Sequence, residues 1–280
     1  MKSENSSNLF DLSGKVVVIT GAGGLLGRQH CEAVASSGGT PILLDISENL
    51  IKDFSRDLKE KFKVDAMSFK VDITQEKEIQ NNVKVIISKF GKIDALVNNA
   101  ANNPIVSDSN SGEQFSRLEN FSIDQWNKDL AVGLTGSFLC AKHYGNFISK
   151  NSNGGVIINI SSDLGIIAPD QRLYKKPGVP DNEQITKPVS YSVSKSGLIG
   201  LTKYIATYWV DQNVRCNAIC PGGVETDQPQ EFLNKISSRI PLNRLAKAYE
   251  YRSTLIYMLS DSSSYLNGSI ISVDGGRTAW

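Results

Sequence analysis

Tyr191 and Lys195 stand four positions apart in Tyr191-Ser-Val-Ser-Lys195, a spacing that on a helix puts one side chain a turn above the other. A free phenol titrates near ~10, and a neighbouring ammonium favours the phenolate, so such a pair can exchange a proton with a substrate oxygen nearer neutrality. The same spacing is common on surface helices, so its meaning depends on what surrounds it. Far upstream lies Thr20-Gly-Ala-Gly-Gly-Leu-Leu-Gly27, between an apolar run and an amphipathic stretch. A glycine turn opening a helix leaves backbone amides free to face a pyrophosphate. Asp45 closes the next apolar run, 18 residues past Gly27, where a carboxylate can accept ribose hydroxyls and repel a 2′-phosphate. That favours NAD over NADP, and Arg28, just inside the helix, is the only cation near enough to offset the charge.

The elements that must position these groups are short β-branched runs between longer amphipathic ones. Strands are expected at 15–20, 41–45, 66–71, 93–97, 155–160, 214–220 and 269–273, and helices at about 25–37, 51–62, 76–90, 123–150, 190–211 and 249–259. Apolar strands without a polar face imply a parallel sheet covered on both sides by right-handed crossovers. The expected fold is therefore α/β: a single doubly wound Rossmann domain over 1–280 with a mostly parallel seven-stranded sheet. The segment 165–188 holds Pro169, Pro177, Pro180 and Pro188 among charged residues and reads as an inserted loop or lid.

Composition excludes several classes. Thirty Lys and Arg against 29 Asp and Glu leave a net charge of +1, far from the basic excess that nucleic acid rewards. The start, 1–13, has no apolar signal core, and no run approaches the ~18 residues of a membrane span. A cytoplasmic protein with no nucleic-acid or membrane partner is expected. Cys31, Cys140, Cys216 and Cys220 are too scattered for a disulfide scaffold, and with neither histidine nearby no metal site is expected.

Together the motifs resemble the short-chain dehydrogenase/reductase family over Leu12 to Gly276. The glycine turn is similar to its T-G-x-x-x-G-x-G, Asp72 to its adenine-contacting aspartate, and Asn98-Asn99-Ala100-Ala101 to its N-N-A-G. Ser161-Ser162 stands where the family has its catalytic serine, Ser162 being the better aligned, and Tyr191 and Lys195 match its Y-x-x-x-K. Pro221-Gly222-Gly223-Val224-Glu225-Thr226 matches the segment touching the nicotinamide end, and Val273-Asp274-Gly275-Gly276 its usual C-terminus. The resemblance implies a cofactor site of Gly21, Gly23, Gly24, Leu26, Gly27, Asp45, Asp72, Ile73, Asn99, Ala100, Tyr191, Lys195, Pro221, Gly222, Val224 and Thr226. It further implies that Tyr191 exchanges the proton, Ser162 orients the substrate oxygen, and Lys195 lowers the tyrosine pKa and holds the nicotinamide ribose. A homotetramer joined through the glycine-bearing helices is implied too.

Three positions depart from the pattern. Leu25 replaces the middle glycine of the turn, Ala101 the last residue of N-N-A-G, and Gly133 an asparagine that serves the family's proton path. The segment between Ser162 and Tyr191 is longer by roughly sixteen residues than the family needs, and its Asp170, Gln171, Arg172, Tyr174, Lys175 and Lys176 suit a polar or anionic substrate. The stretch 228–239 is expected to wall the pocket opposite, and Trp280 to pack at a subunit contact. The implied activity is NAD-dependent interconversion of a secondary alcohol and a ketone on a sugar- or polyol-like small molecule. A dinucleotide-binding sensor without turnover, motivated by Gly133, and a redox-neutral sugar epimerase or dehydratase are the competing readings.

Overall fold

The computed structural model describes residues 9–102 and 116–280; the part of the chain start read against a signal peptide, through Asn8, lies outside them. Seven strands pair in parallel in the order β3-β2-β1-β4-β5-β6-β7: β1 (Val16–Thr20), β2 (Thr40–Asp45), β3 (Met67–Lys70), β4 (Ala95–Asn98), β5 (Gly155–Ile160), β6 (Val214–Pro221) and β7 (Ile270–Val273). Alternate residues of each central strand feed opposite cores. Val17, Ile19 and Ile158 pack with Cys31, Val34, Leu255 and Met258 on one face; Val18, Leu96 and Ile157 pack with Ile79, Val83, Tyr144 and Ile205 on the other. This double burial is why the strands carry no polar face. The order reverses between β1 and β4, and the crevice outside the strand C-termini there is where α/β folds bind ligands.

The expected helices form with shifted ends. Leu25–Ser36, Glu48–Phe62 and Glu76–Phe90 are regular, and the last two end on the left-handed residues Lys63 and Gly91. The stretch expected as one helix over 123–150 stays helical to Ile148 but twice widens into π turns, at Ala131–Gly136 and Ala141–Gly145. Glycines permit the close approaches there: a Cβ on Gly133 would lie 3.2 Å from the Ser194 Cβ, and one on Gly145 2.6 Å from the Trp209 ring. The helix read as 190–211 runs Val189–Tyr208 and tightens into a 3-10 turn, while 249–259 opens as a 3-10 turn before Arg252–Leu259.

Within 165–188 the chain makes two 3-10 turns, Gln171–Tyr174 and Asp181–Glu183. It is anchored rather than loose. Leu173 joins Ile236, Ile240 and Leu245 in a small separate core, against which Tyr174, Phe232 and Leu233 pack, so the segment rests on the helix Gln230–Ser237.

Candidate active site

At the C-terminal ends of β1 to β4 lies a groove of about 470 Å³ whose lining includes Gly21, Gly24, Leu26, Gly27, Asp45, Asp72, Ile73, Asn99 and Ala100. Nine of the residues expected at the cofactor thus share one surface. Gly21 sits at φ +61°, and a Cβ there would come 2.8 Å from the Ala100 Cα; one on Gly27 would come 2.1 Å from the Gly21 carbonyl oxygen. Only glycine lets the turn close this tightly under the helix N-terminus. Leu25, where the family has glycine, is already the first helical residue and needs no positive φ.

Gly23 does something else than expected. Its N–H donates to Asp45 Oδ2 at 2.9 Å while the Ser47 N–H donates to Oδ1 at 2.9 Å, so it orients the carboxylate from inside the turn and is absent from the groove lining. Each oxygen of Asp45 keeps a lone pair for a further donor. Arg28 is turned aside: its guanidinium donates to the Gly23 and Leu50 carbonyls and lies 4.6 Å over the Phe54 ring. Asn99 donates to the Thr20 and Gly21 carbonyls, and Thr20 Oγ1 accepts from the Asn99 and Ala100 amides, which locks the ends of β1 and β4 together. Asp72 Oδ1 accepts from Thr74 N–H and O–H.

The residues expected to exchange the proton lie at and beyond the end of β5. Ser162 follows the strand and is 5% exposed, and Asp163 beside it is near enough to Tyr191 for its charge to raise the phenol. Lys195, one turn further along the helix, is buried and donates from Nζ to the Ile160 carbonyl at 2.8 Å. Ser161 Oγ donates to the Lys195 carbonyl at 2.7 Å, so strand and helix are stitched on both sides of the pair. Pro221 ends β6, the Gly222 carbonyl accepts from the Tyr251 hydroxyl at 3.1 Å, and the loop through Val224 and Thr226 is braced by Gln228. These residues do not line the glycine groove itself.

The electrostatics depart from the expected division of labour. Burial pushes the Tyr191 phenol up, and the Asp163 charge adds to it. Lys195, 5.8 Å from the ring centroid, is not among the groups that lower it. Its own ammonium is pulled down to about 8 by burial, with Cys220 opposing and Lys187 adding. The cation closest to the phenol is Lys187, 3.9 Å over the Tyr191 ring and likewise lowered by burial to about 8. It belongs to the 165–188 segment, and nothing in its sequence context distinguishes it. By contrast Arg172 pairs with Asp170, Lys175 with Asp181, and Gln171 bonds the backbone of Lys187. The polar residues expected to face the substrate are thus largely spent holding their own segment. Trp280 is 77% exposed, whereas Arg277 beside it is buried.

Among the described residues no group of three or more His, Cys, Asp or Glu is placed to hold a metal ion; the four cysteines are buried free thiols, and no helix is long and apolar enough to cross a membrane.

Comparison with known proteins agrees with this geometry. The short chain dehydrogenase family model matches residues 15–174, and that of enoyl-(acyl carrier protein) reductase residues 181–278. An uncharacterized oxidoreductase of Thermotoga maritima is 34% identical over 280 residues, covering 96% of this chain and 100% of its own. An NADP-dependent mannitol dehydrogenase of Alternaria alternata is 31% identical over 279 residues, covering 96% and 94%. The crystal structure of an NAD+-bound xylitol dehydrogenase superposes with a TM-score of 0.82 at 25% identity, covering 95% of this chain and 99% of its own. The chain belongs to the short-chain dehydrogenase/reductase family of oxidoreductases.

Proposed function

We propose that this protein is an NAD-dependent oxidoreductase that interconverts a secondary alcohol and a ketone on a sugar- or polyol-like small molecule. What supports the reading is that Tyr191 and Lys195 stand on a helix bonded to the end of β5, just before Ser162, while the glycine groove with Asp45 lies at the C-terminal ends of strands of the same parallel sheet. The groove fits a dinucleotide because its glycine turn opens the helix Leu25–Ser36, whose N-terminal backbone N–H groups favour a pyrophosphate. Gly21, Gly24, Leu26 and Gly27 would face the pyrophosphate, Asp45 the adenosine ribose, and Asp72 and Ile73 the adenine. Asn99 and Ala100 would floor the middle, and Pro221, Gly222, Val224 and Thr226 would border the nicotinamide end. A bound nicotinamide would supply the two-electron acceptor or donor and, when oxidised, a positive charge beyond that of Lys187 and Lys195.

In oxidation Tyr191 takes the proton of the substrate hydroxyl, and in reduction it returns one to the carbonyl oxygen. Ser162 hydrogen-bonds the same oxygen and fixes its place against the phenol. Lys195 holds the backbone behind Ser162 through the Ile160 carbonyl and would hold the nicotinamide ribose. The preference for NAD rests on Asp45, held by two backbone donors, and on Arg28 being engaged with its own turn. The polar substrate class is supported by the polyols named for two relatives. A single domain, a homotetramer and a cytoplasmic setting complete the proposal. The test is a panel of polyols and sugar alcohols with NAD, followed through reduced-nicotinamide absorbance. Net cofactor reduction excludes the redox-neutral and sensor readings, and its absence across the panel would favour them.

A further inference from the structure

Asp163 directly follows Ser162 and is itself buried, as is the guanidinium it meets: their side chains are 4% and 9% exposed, and Arg277 donates to Asp163 Oδ2 at 2.7 Å. The other oxygen, Oδ1, lies 2.8 Å from Ser162 Oγ and 2.8 Å from the Leu164 nitrogen. A carboxylate paired with a guanidinium is ionised and can only accept, so this contact has one direction: the serine donates. Leu164 N–H meanwhile donates to Ser162 Oγ at 3.1 Å. The serine's single proton is therefore committed to Asp163, and what remains on its oxygen for a further partner is a lone pair.

Arg277 reaches this place because the chain reverses at Gly275 (φ +67°) and Gly276 (φ +90°), both conformations that favour glycine. Asp274 then fastens the turn, accepting from Gly276 N–H, Thr278 N–H and Thr278 O–H. The C-terminal Val-Asp-Gly-Gly-Arg thus acts on the reacting centre through a buried ion pair.

We propose that Asp163, held by Arg277, is a positioning residue that sets the hydrogen-bond polarity of Ser162, so that the serine meets Tyr191 and the substrate oxygen as an acceptor until its proton is drawn off the carboxylate. The inference rests on the proposed pairing of Ser162 with Tyr191. An alcohol hydroxyl has a proton to offer that lone pair; a ketone has none and must first turn the serine away from Asp163. Among the described residues the charged and titratable groups tied to Tyr191 are Lys187, Lys195, Tyr174 and Asp163 with its partner Arg277, while Cys220 faces Lys195 and Tyr251 faces Asp163.

The test needs no substrate. The ultraviolet phenolate signal of Tyr191, isolated by subtracting the corresponding Tyr191→Phe protein, is followed against pH in the full chain. Asp163→Leu/Arg277→Met removes both charges together, leaves the local net charge unchanged and keeps the space filled, a replacement that buried ion pairs commonly tolerate. The freed serine then donates to the phenolate, and the Tyr191 midpoint falls by about one pH unit. With Ser162→Ala added, the fall disappears. An unmoved midpoint, or an equal fall with and without the serine, overturns the proposal. Should the double variant fail to fold, Asp163→Val/Arg277→Leu, which likewise removes both charges and the serine's acceptor, is read in the same way. Because ionisation is read without turnover, this result stands apart from the activity test of Tyr191.

Discussion

The two halves of the cleft are built by opposite means. The glycine half is made of backbone: one turn between β1 and the helix Leu25–Ser36, closed so tightly that a single added carbon at Gly27 would lie 2.1 Å from a carbonyl oxygen. The reacting half is made of side chains brought from separate places, with Ser162 and Asp163 after β5, Lys187 from the anchored segment, Tyr191 and Lys195 from a helix, and Arg277 from the end of the chain. A backbone cradle needs only local sequence and tolerates nothing larger than glycine. A side-chain cluster needs the whole fold, and its charges are modified by burial more than by their sequence neighbours.

This contrast can be broken at either end. The largest effect is expected from Tyr191→Phe, which should lower kcat by about a thousandfold with little change in cofactor affinity; turnover at the parent rate would refute the acid/base assignment. Gly27→Ala should weaken NAD binding about a hundredfold, since the turn must open to admit a methyl group, at a cost of about 1–3 kcal/mol in stability as well. Calorimetric titration showing unchanged affinity would mean that the turn is not the phosphate cradle.

His30 supplies a third probe, on the helix of the glycine turn but facing the core. It is fully buried, neither ring nitrogen has a hydrogen-bond partner, and burial lowers its pKa from 6.5 to about 4. The unfolded chain therefore binds a proton that the folded one refuses. Stability present above pH 6.5 is lost as pH falls toward 4. His30→Leu should remove that acid sensitivity, a relative gain on the order of 2 kcal/mol near pH 4 in denaturant titrations, while leaving kcat unchanged. A parallel acid loss in both proteins would contradict this. The smallest effect is expected from Asp45→Ala, which should shift the NAD-to-NADP preference by about tenfold toward NADP; a preference for NAD that is unchanged or stronger in competition kinetics would remove Asp45 from that role.

Strand positions, the parallel sheet and the glycine groove were legible in the sequence because period, apolar runs and turn chemistry act between near neighbours. Gly23 and Lys195 were legible as residues but not in what they do, since each is committed to a partner that only the folded chain brings near. Gly133 read as a lost proton path, yet in the fold it is also the contact that lets the π-turned helix approach Ser194. Lys187 stands four positions before Tyr191 but ahead of the helix Val189–Tyr208, where helical spacing does not apply, and no spacing along the chain relates Asp163 to Arg277, 114 positions away.

By itself, then, the order of residues determined the layered architecture and the glycine turn, because both follow from backbone preference and hydrophobic alternation. Which cation overlies the phenol, and where the serine sends its proton, were decided only by folding. Those outcomes depend on desolvation and on hydrogen-bond partners that arrive from distant segments, and neither exists until the chain has closed around them.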